Sequence, residues 1–169
     1  MEGFLWILFT FLVIQRLAEL AVARSNRKWM LTRGAIESGE NHYILFIVLH
    51  TLFFVSLFTE FAFTSYHYSR FFYLFLSIFI LLQLLRIWCI SSLGRRWNTR
   101  ILVLPDEKPI IKGPYKYIPH PNYVIVFFEL LFIPLLFQAY ITAIVFPFLH
   151  LLVLMVRIPA EEKALEERV

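Results

Sequence analysis

Three uninterrupted apolar runs, each about as long as a membrane-spanning helix, limit what this chain can fold into. A helix that crosses about 30 Å of hydrocarbon needs about 20 mostly apolar residues, and the runs cover residues 3–23, 43–63 and 71–91. A fourth apolar block, residues 124–156, is long enough for two shorter helices with a turn between residues 134 and 140. The sequence therefore predicts an all-α, polytopic membrane protein of about five transmembrane helices, in which the last two form a hairpin.

The composition narrows the class further. Hydrophobic residues make up 60% of the 169 residues, which is more than a soluble domain of this size buries. The single cysteine, Cys89, excludes an intramolecular disulfide framework, and we expect no metal site because no metal-ligand spacing occurs. The net charge of +4 comes from the loops, so it indicates membrane orientation and no nucleic-acid partner. No repeat or linker divides residues 1–169, and we expect one domain.

Lysine and arginine are distributed unevenly among the loops. The first loop holds four and the segment after the third apolar run holds six, whereas the loop at residues 64–70 holds only Arg70. Positively charged loops stay in the cytosol. We therefore expect the N-terminus outside, with the central segment and the C-terminus in the cytosol.

The longest hydrophilic interval, residues 93–123, ends in GPYKYIPHPNY, whose glycine and prolines favour fixed turns. This motif resembles the GPYxxxRHPxYxG signature of the isoprenylcysteine carboxyl methyltransferase and phospholipid methyltransferase superfamily. LGRRWNTR resembles the LGxxW element of that superfamily, and RIPAEEKAL resembles its RxxxEExxL element, so the motif-bearing region is residues 93–165. Pro119 and Ile125 depart from the usual Arg and Gly. We expect Trp97 of LGRRWNTR at the membrane interface.

The resemblance implies a membrane methyltransferase that uses S-adenosylmethionine. Soluble methyltransferases hold this cofactor on a parallel sheet with a glycine-rich turn, but the five glycines here are scattered. The resemblance instead implies a cytosolic loop, residues 103–123, closed over helix ends. Aromatic faces stabilise a sulfonium cation, and carboxylates can hold ribose hydroxyls or the ammonium group. The candidate cofactor-binding residues are Tyr115, Tyr117, His120, Pro121, Tyr123, Glu161 and Glu162; the two glutamates follow Pro159 and are predicted in the first turn of a C-terminal helix.

Charged and polar side chains inside the spans are costly and mark candidate sites. Several lie at similar depths near the predicted cytosolic face, so we predict that they form a polar pocket: Arg16, His50, Arg86, Glu129 and His150. Glu60 lies near the other face. The structural alternative is that Arg16 pairs with Glu19, three residues away, and that Arg86 and Arg157 extend to the interface.

Methyl transfer requires the acceptor to be positioned and water to be excluded. We predict that Arg157 and Arg86 hold the acceptor oxygen, because a guanidinium can grip a carboxylate or enolate. Glu129 is predicted to orient an arginine or to help deprotonate a hydroxyl. The predicted acceptor is a hydrophobic carboxylate or enol taken from the membrane lipids, of the prenylcysteine or alkylpyrone type.

Two other functions remain open at this point. A membrane reductase of sterol-reductase-like architecture would bind NADPH, with its 2′-phosphate near Arg95, Arg96, Arg100 and Lys112. A non-catalytic transporter or scaffold would use the polar layer as a conduction path and would continue it to the outer face. The sequence makes no prediction of the oligomeric state.

Overall fold

The computed structural model describes residues 2–64, 66–67, 69–105 and 107–167. Within these residues five helices and one two-stranded sheet form, in the order α1 (Glu2–Leu31), β1 (Ile36–Ser38), α2 (Glu40–Phe63), α3 (Phe72–Leu93), β2 (Ile101–Val103), α4 (Pro121–Leu136) and α5 (Tyr140–Glu166). The predicted all-α class and the five helices are confirmed. The small sheet was not predicted.

Four helices, α1, α2, α3 and α5, are long and apolar enough to cross a membrane. The remaining helix, α4, has 16 residues and is therefore about 24 Å long, less than the hydrocarbon thickness. It pairs with α5 through a short turn at residues 137–139, where Gln138 has a positive φ of 59°. The predicted hairpin is therefore confirmed, and its turn falls inside the predicted interval.

The apolar core fills the end of the bundle that lies away from the sequence motif. There α4 packs against α3 and α5, and α2 packs against α5. The core includes Leu5, Leu57, Phe61, Phe72, Leu130, Ile133 and Phe137. Glu60 lies at the same end, and its carboxylate accepts hydrogen bonds from the backbone N–H groups of Ile141 and Thr142, both at 2.9 Å. This glutamate therefore caps the N-terminus of α5. The cap gives a structural role to a charged residue that lies outside the predicted polar pocket.

The helix α1 continues eight residues past its predicted end at Ala23. Its last turns carry Asn26, which is buried and donates to the backbone oxygen of Trp97 at 2.8 Å. In return, the side-chain amide of Asn98 donates to the oxygen of Ala23 at 3.0 Å. These bonds dock the LGRRWNTR segment on α1. The expectation that Trp97 contacts the membrane interface was wrong: the docking leaves its side chain only 3% exposed, so the ring packs inside the protein.

The sheet ties two distant loops together at the motif end. Ile36 of β1 lies opposite Val103 of β2 in an antiparallel pair, and β2 packs against Ala164 of α5. Between the strands and α1, the Glu37 carboxylate accepts hydrogen bonds from Arg27 at 2.7 Å and from Arg100. Burial alone would raise the pKa of Glu37, but hydrogen bonds and charge from these two guanidinium groups outweigh it and hold the pKa below its ordinary 4.5.

The C-terminal helix does not begin after Pro159, as the sequence suggested. Pro159 lies inside α5, which runs without a break to Glu166. Glu161 and Glu162 therefore lie near the C-terminal end of a helix, where the helix dipole disfavours a carboxylate, and the predicted first-turn stabilisation is wrong. An internal proline removes one helical hydrogen bond, while packing of Ala160 and Ala164 against β2 holds this end in place.

The GPYK stretch forms a short 3₁₀ helix, Gly113–Lys116, against the end of α3. Gly113 opens it with a φ of +55°, and a Cβ at this position would lie 2.1 Å from Ser92 Oγ and 3.0 Å from Trp88 Nε1. Two independent reasons therefore require glycine here: a backbone angle that L residues rarely adopt, and a close approach to α3.

Candidate functional site

Two adjacent cavities lie at the motif end of the bundle. The larger, about 420 Å³, lies among the helices and is called the membrane cavity; its polar lining consists of Arg16, Glu19, Tyr43, His50, Thr51, Arg86, Asn98, Thr99, Asn122, Tyr123, His150 and Arg157, with the Trp97 ring beside them. The smaller, about 230 Å³, lies under the loop that precedes α4 and is called the loop cavity; its polar lining includes Glu107, Tyr115, His120, Asn122, Tyr123, Arg157 and Glu161. Four of the five residues of the predicted polar pocket, Arg16, His50, Arg86 and His150, line the membrane cavity, and Glu129 does not.

Charged side chains at the inner side of the membrane cavity pair with one another. Glu129 is 1% exposed and accepts hydrogen bonds from Arg16 at 2.7 Å, Arg86 at 2.8 Å and Gln83 at 2.9 Å. Arg86 also pairs with Glu19 at 2.6 Å, and Arg16 does so at 2.9 Å. The predicted Arg16–Glu19 pair thus exists, but within a network of two cations and two anions whose charges cancel.

Two predicted catalytic residues, Arg86 and Glu129, make their hydrogen bonds within this network. All three side-chain nitrogens of Arg86 donate to Glu19 or Glu129, although Arg86 lines the membrane cavity. Both oxygens of Glu129 are occupied, and this residue lines neither cavity. The geometry makes both residues supports for the cavity wall, and a direct catalytic role for either stays a prediction.

Arg157, the third predicted catalytic residue, is arranged differently. It is 4% exposed and lines both cavities. Its Nε donates to the Tyr123 hydroxyl at 3.1 Å, and its Nη2 donates to the backbone oxygen of Thr99 at 3.1 Å. Its Nη1 is buried and has no hydrogen-bond partner among the described residues. A fixed guanidinium with one free donor therefore lies between the cavities.

The loop cavity brings several predicted cofactor-binding residues together. Glu161 accepts a hydrogen bond from the Tyr123 hydroxyl, and the Tyr123 ring stacks on His120 with centroids 5.5 Å apart. His120 Nδ1 lies 3.9 Å from Glu161. Tyr115 contributes a further aromatic face; burial raises the pKa of its hydroxyl above the ordinary value, which keeps the ring neutral.

The other predicted residues lie elsewhere. Pro121 is buried at the first position of α4 and fixes the start of that helix. Tyr117 is 74% exposed, and Glu162 is exposed beside His120 at 3.7 Å; neither lines a cavity, and their contact with a cofactor stays a prediction. Of the two departures, Pro119 lines the loop cavity, and Ile125 packs in the interface between α3 and α4.

The two cavities share one wall, formed by Trp97, Asn98, Asn122, Tyr123 and Arg157. Neither asparagine was predicted as a site residue, although each lies inside a motif, in LGRRWNTR and in HPNY. Phe46 of α2 was not predicted either; its ring lies 6.3 Å from that of Tyr123 and 5.5 Å from the Arg157 guanidinium. The only sequence feature that could have indicated the two asparagines is a side-chain amide next to an aromatic residue of the motif, Trp97 in one case and Tyr123 in the other.

The residues of the loop cavity fit S-adenosylmethionine. This cofactor carries an ammonium group, a sulfonium cation and a ribose diol, which call for carboxylates and aromatic faces. Glu161, Tyr115 and Tyr123 supply these groups. The side-chain oxygen of Asn122, in the shared wall, is buried without a partner among the described residues, so it can accept a hydrogen bond from a ligand.

Comparisons with known proteins place the chain in a family. The sequence pattern of the isoprenylcysteine carboxyl methyltransferase (ICMT) family matches residues 74–167. The uncharacterized protein YpbQ of Bacillus subtilis is 45% identical over 96% of each chain, and an uncharacterized protein of Haemophilus influenzae is 28% identical over 96% of this chain and 95% of its own. No solved structure matches. The chain belongs to the ICMT family and is a membrane protein of the methyltransferase type.

Proposed function

We propose that this protein transfers a methyl group from S-adenosylmethionine to an oxygen of a hydrophobic carboxylate or enol acceptor. The observation that carries the proposal is the shared wall: a loop cavity with the donor set for the cofactor adjoins a membrane cavity that can take a lipid, and Tyr123 and Arg157 belong to both. Transfer between two bound molecules needs such a common boundary.

The cofactor lies in the loop cavity in this proposal. Its sulfonium activates the methyl group for displacement by an oxygen nucleophile. Tyr115 and Tyr123 present ring faces to the cation, and Glu161 holds a hydroxyl or the ammonium group. Because the Tyr123 hydroxyl already donates to Glu161 and accepts from Arg157, the three side chains form one positioned unit.

The acceptor lies in the membrane cavity. Its lining is mainly apolar on the side of α1 and α2, where Leu17, Ile47 and Val55 are also exposed at the bundle surface. An opening between these helices lets an apolar chain enter sideways from the bilayer. The cavity volume of about 420 Å³ suits a lipidic ligand. The reactive oxygen then meets Nη1 of Arg157, which donates a charge-assisted hydrogen bond.

The charged loop supports this function over the reductase. Arg96 and Arg100 line the loop cavity, but Arg96 is paired with Glu107 and with the Lys108 oxygen, and Arg100 is paired with Glu37, so a 2′-phosphate would have to displace these partners. The polar layer is separated from the far end by the apolar core, and Glu60 is used as a helix cap. A conduction path has no continuation through that core.

We also propose the orientation from the loop charges, with the loop cavity on the cytosolic side.

Calorimetric titration of the detergent-purified protein tests the cofactor assignment. We expect S-adenosylmethionine and S-adenosylhomocysteine to bind and NADPH not to bind. His120→Ala removes a ring of the loop cavity and should weaken binding by about tenfold, the equivalent of one lost hydrogen bond or ring contact. Ile111→Ala, an exposed loop residue outside both cavities, is the matched control and should bind as the wild type does. Binding of NADPH alone, to a folded protein, would refute the proposal.

A further inference from the structure

His150 of α5 is fully buried, with 0% of its surface exposed, and it lines the membrane cavity. Its Nδ1 is buried and has no partner among the described residues. A buried imidazole nitrogen without a partner costs free energy unless a ligand supplies one. A ligand in the adjoining membrane cavity is the available source of such a partner.

The hydrogen bond on the other side of the ring determines what Nδ1 can do. His150 Nε2 lies 3.2 Å from the backbone oxygen of Tyr123. A carbonyl oxygen only accepts, so Nε2 carries the proton, and in the neutral ring Nδ1 then presents a lone pair. The missing partner is consequently a hydrogen-bond donor, such as a hydroxyl group.

Arg157 and His150 act on the same part of the cavity. They lie seven residues apart on one face of α5, and side chains on a helix lean towards its N-terminus, so that Arg157 extends back towards His150. Both are fixed by Tyr123, one through its hydroxyl and the other through its carbonyl. The Phe46 ring contacts both, at 6.2 Å from the His150 ring and 5.5 Å from the guanidinium.

We propose that His150 is the catalytic base, and that the acceptor is a lipid bearing a weakly acidic hydroxyl, of the enol or phenol type. The acceptor O–H bond breaks as an N–H bond forms at Nδ1, so the ring becomes an imidazolium and the electron pair stays on oxygen. Nη1 of Arg157 stabilises the resulting oxyanion. The oxygen is then the nucleophile in the methyl transfer of the proposed function, on which this inference rests, and the proton leaves to water when the product departs.

The choice of acceptor follows from the lone pair. An ionised carboxylate brings no proton, and its oxygens would face the Nδ1 lone pair with two like partial charges. The other titratable groups that face this region are His50 and Tyr43 of α2, the Arg16–Glu19 pair of α1, Arg86 of α3 and Tyr123 of α4. Since the charges of Arg16, Arg86, Glu19 and Glu129 cancel, Arg157 is the cation that favours an oxyanion formed inside the cavity.

An absorbance measurement without any cofactor tests the base separately from methyl transfer. The probe is a nitrophenol with a long alkyl chain, which is colourless as the phenol and yellow as the phenolate. We expect the wild type to turn the bound probe yellow at a pH at which the probe in empty micelles stays colourless. His150→Asn and His150→Gln keep a polar side chain without a base and should leave the bound probe colourless. His67→Asn, a histidine outside both cavities, is the matched control and should behave as the wild type does, and His50→Asn tests the other histidine of the membrane cavity.

Turnover of the same probe gives the second readout. His150→Asn should lose roughly 10²–10⁴-fold in rate, the usual contribution of a general base, and should recover at high pH, where the probe ionises in water. A wild type that leaves the probe colourless, His150 variants that ionise it normally, or a loss confined to His50→Asn would each overturn the inference. Failure of S-adenosylmethionine to bind in calorimetry would instead refute the proposed function, and the colour test would still report on His150.

Discussion

Replacing Gly113 with alanine should destabilise the protein in a way that separates backbone strain from steric overlap. The φ of +55° costs an L residue about 1–2 kcal/mol. The new Cβ would also lie 2.1 Å from Ser92 Oγ, and relieving such an overlap typically costs about 1–3 kcal/mol more. We therefore expect Gly113→Ala to lower the free energy of unfolding by about 2–5 kcal/mol.

Gly34 provides the matched control. It has a positive φ of +82°, and nothing lies within 4 Å of a Cβ built there. Gly34→Ala should therefore cost only the strain component, about 1–2 kcal/mol. Adding Ser92→Ala to Gly113→Ala removes the nearest atom and should restore part of the loss, although Ser92 Cβ and Trp88 Nε1 remain 3.0 Å away.

Equilibrium unfolding in mixed micelles, with a rising fraction of a denaturing detergent, measures these differences. Hydrogen exchange of residues 113–117 should accelerate in Gly113→Ala and stay unchanged in Gly34→Ala, because the loop is displaced from α3 only in the first variant. Equal losses for the two variants, or a Ser92→Ala change that restores nothing, would contradict the close approach as the reason for this glycine.

Two further predictions concern charged groups. Glu129→Leu leaves Arg16 and Arg86 buried with only Glu19 and should cost about 3–5 kcal/mol in the same unfolding assay; the double variant with Arg86→Leu removes one charge of each sign and should lose less, so an equal or greater loss would contradict the balanced network. Because the pKa of Glu37 is lower when folded, its ionised form stabilises the fold above its ordinary pKa of 4.5, and this contribution is lost as the pH falls below that value through the folded pKa. Glu37→Gln should lower the unfolding midpoint above pH 4.5 and flatten the acid part of its pH dependence, and a curve parallel to that of the wild type would contradict this assignment.

The helices could be predicted because each follows from a single property of one segment. The interval predicted for the second helix, residues 43–63, lies within α2 (Glu40–Phe63), since apolar length alone determines a span. The extension of α1 could not be predicted in this way, because it depends on Asn26 meeting Trp97, 71 residues away in sequence. The three-residue strands are too short to show an alternation of apolar and polar residues. They also pair with each other from distant parts of the sequence, Ile36 with Val103.

The residue types of the candidate site could be predicted from the sequence, but their hydrogen-bond and ion-pair partners could not. The depth of Arg16, Arg86 and Glu129 in their spans indicated that they would meet, and they form one ion-pair network. Which arginine keeps a free donor depends on partners that no spacing reveals, such as the Thr99 carbonyl that binds Arg157. The exposure of Tyr117 could not be predicted either: the motif indicated a cofactor-binding residue, and the fold leaves its side chain exposed.

The wall shared by the two cavities has a kinetic consequence. One cavity lies under hydrophilic loops and the other among apolar helices, so under the proposed function the two substrates arrive from different phases and do not compete for one entrance. The rate then depends on the mole fraction of acceptor in the surrounding bilayer, not on its amount per volume of water. Adding inert lipid at constant acceptor would slow the reaction by surface dilution, while the response to the water-soluble substrate would remain that of an ordinary enzyme in solution.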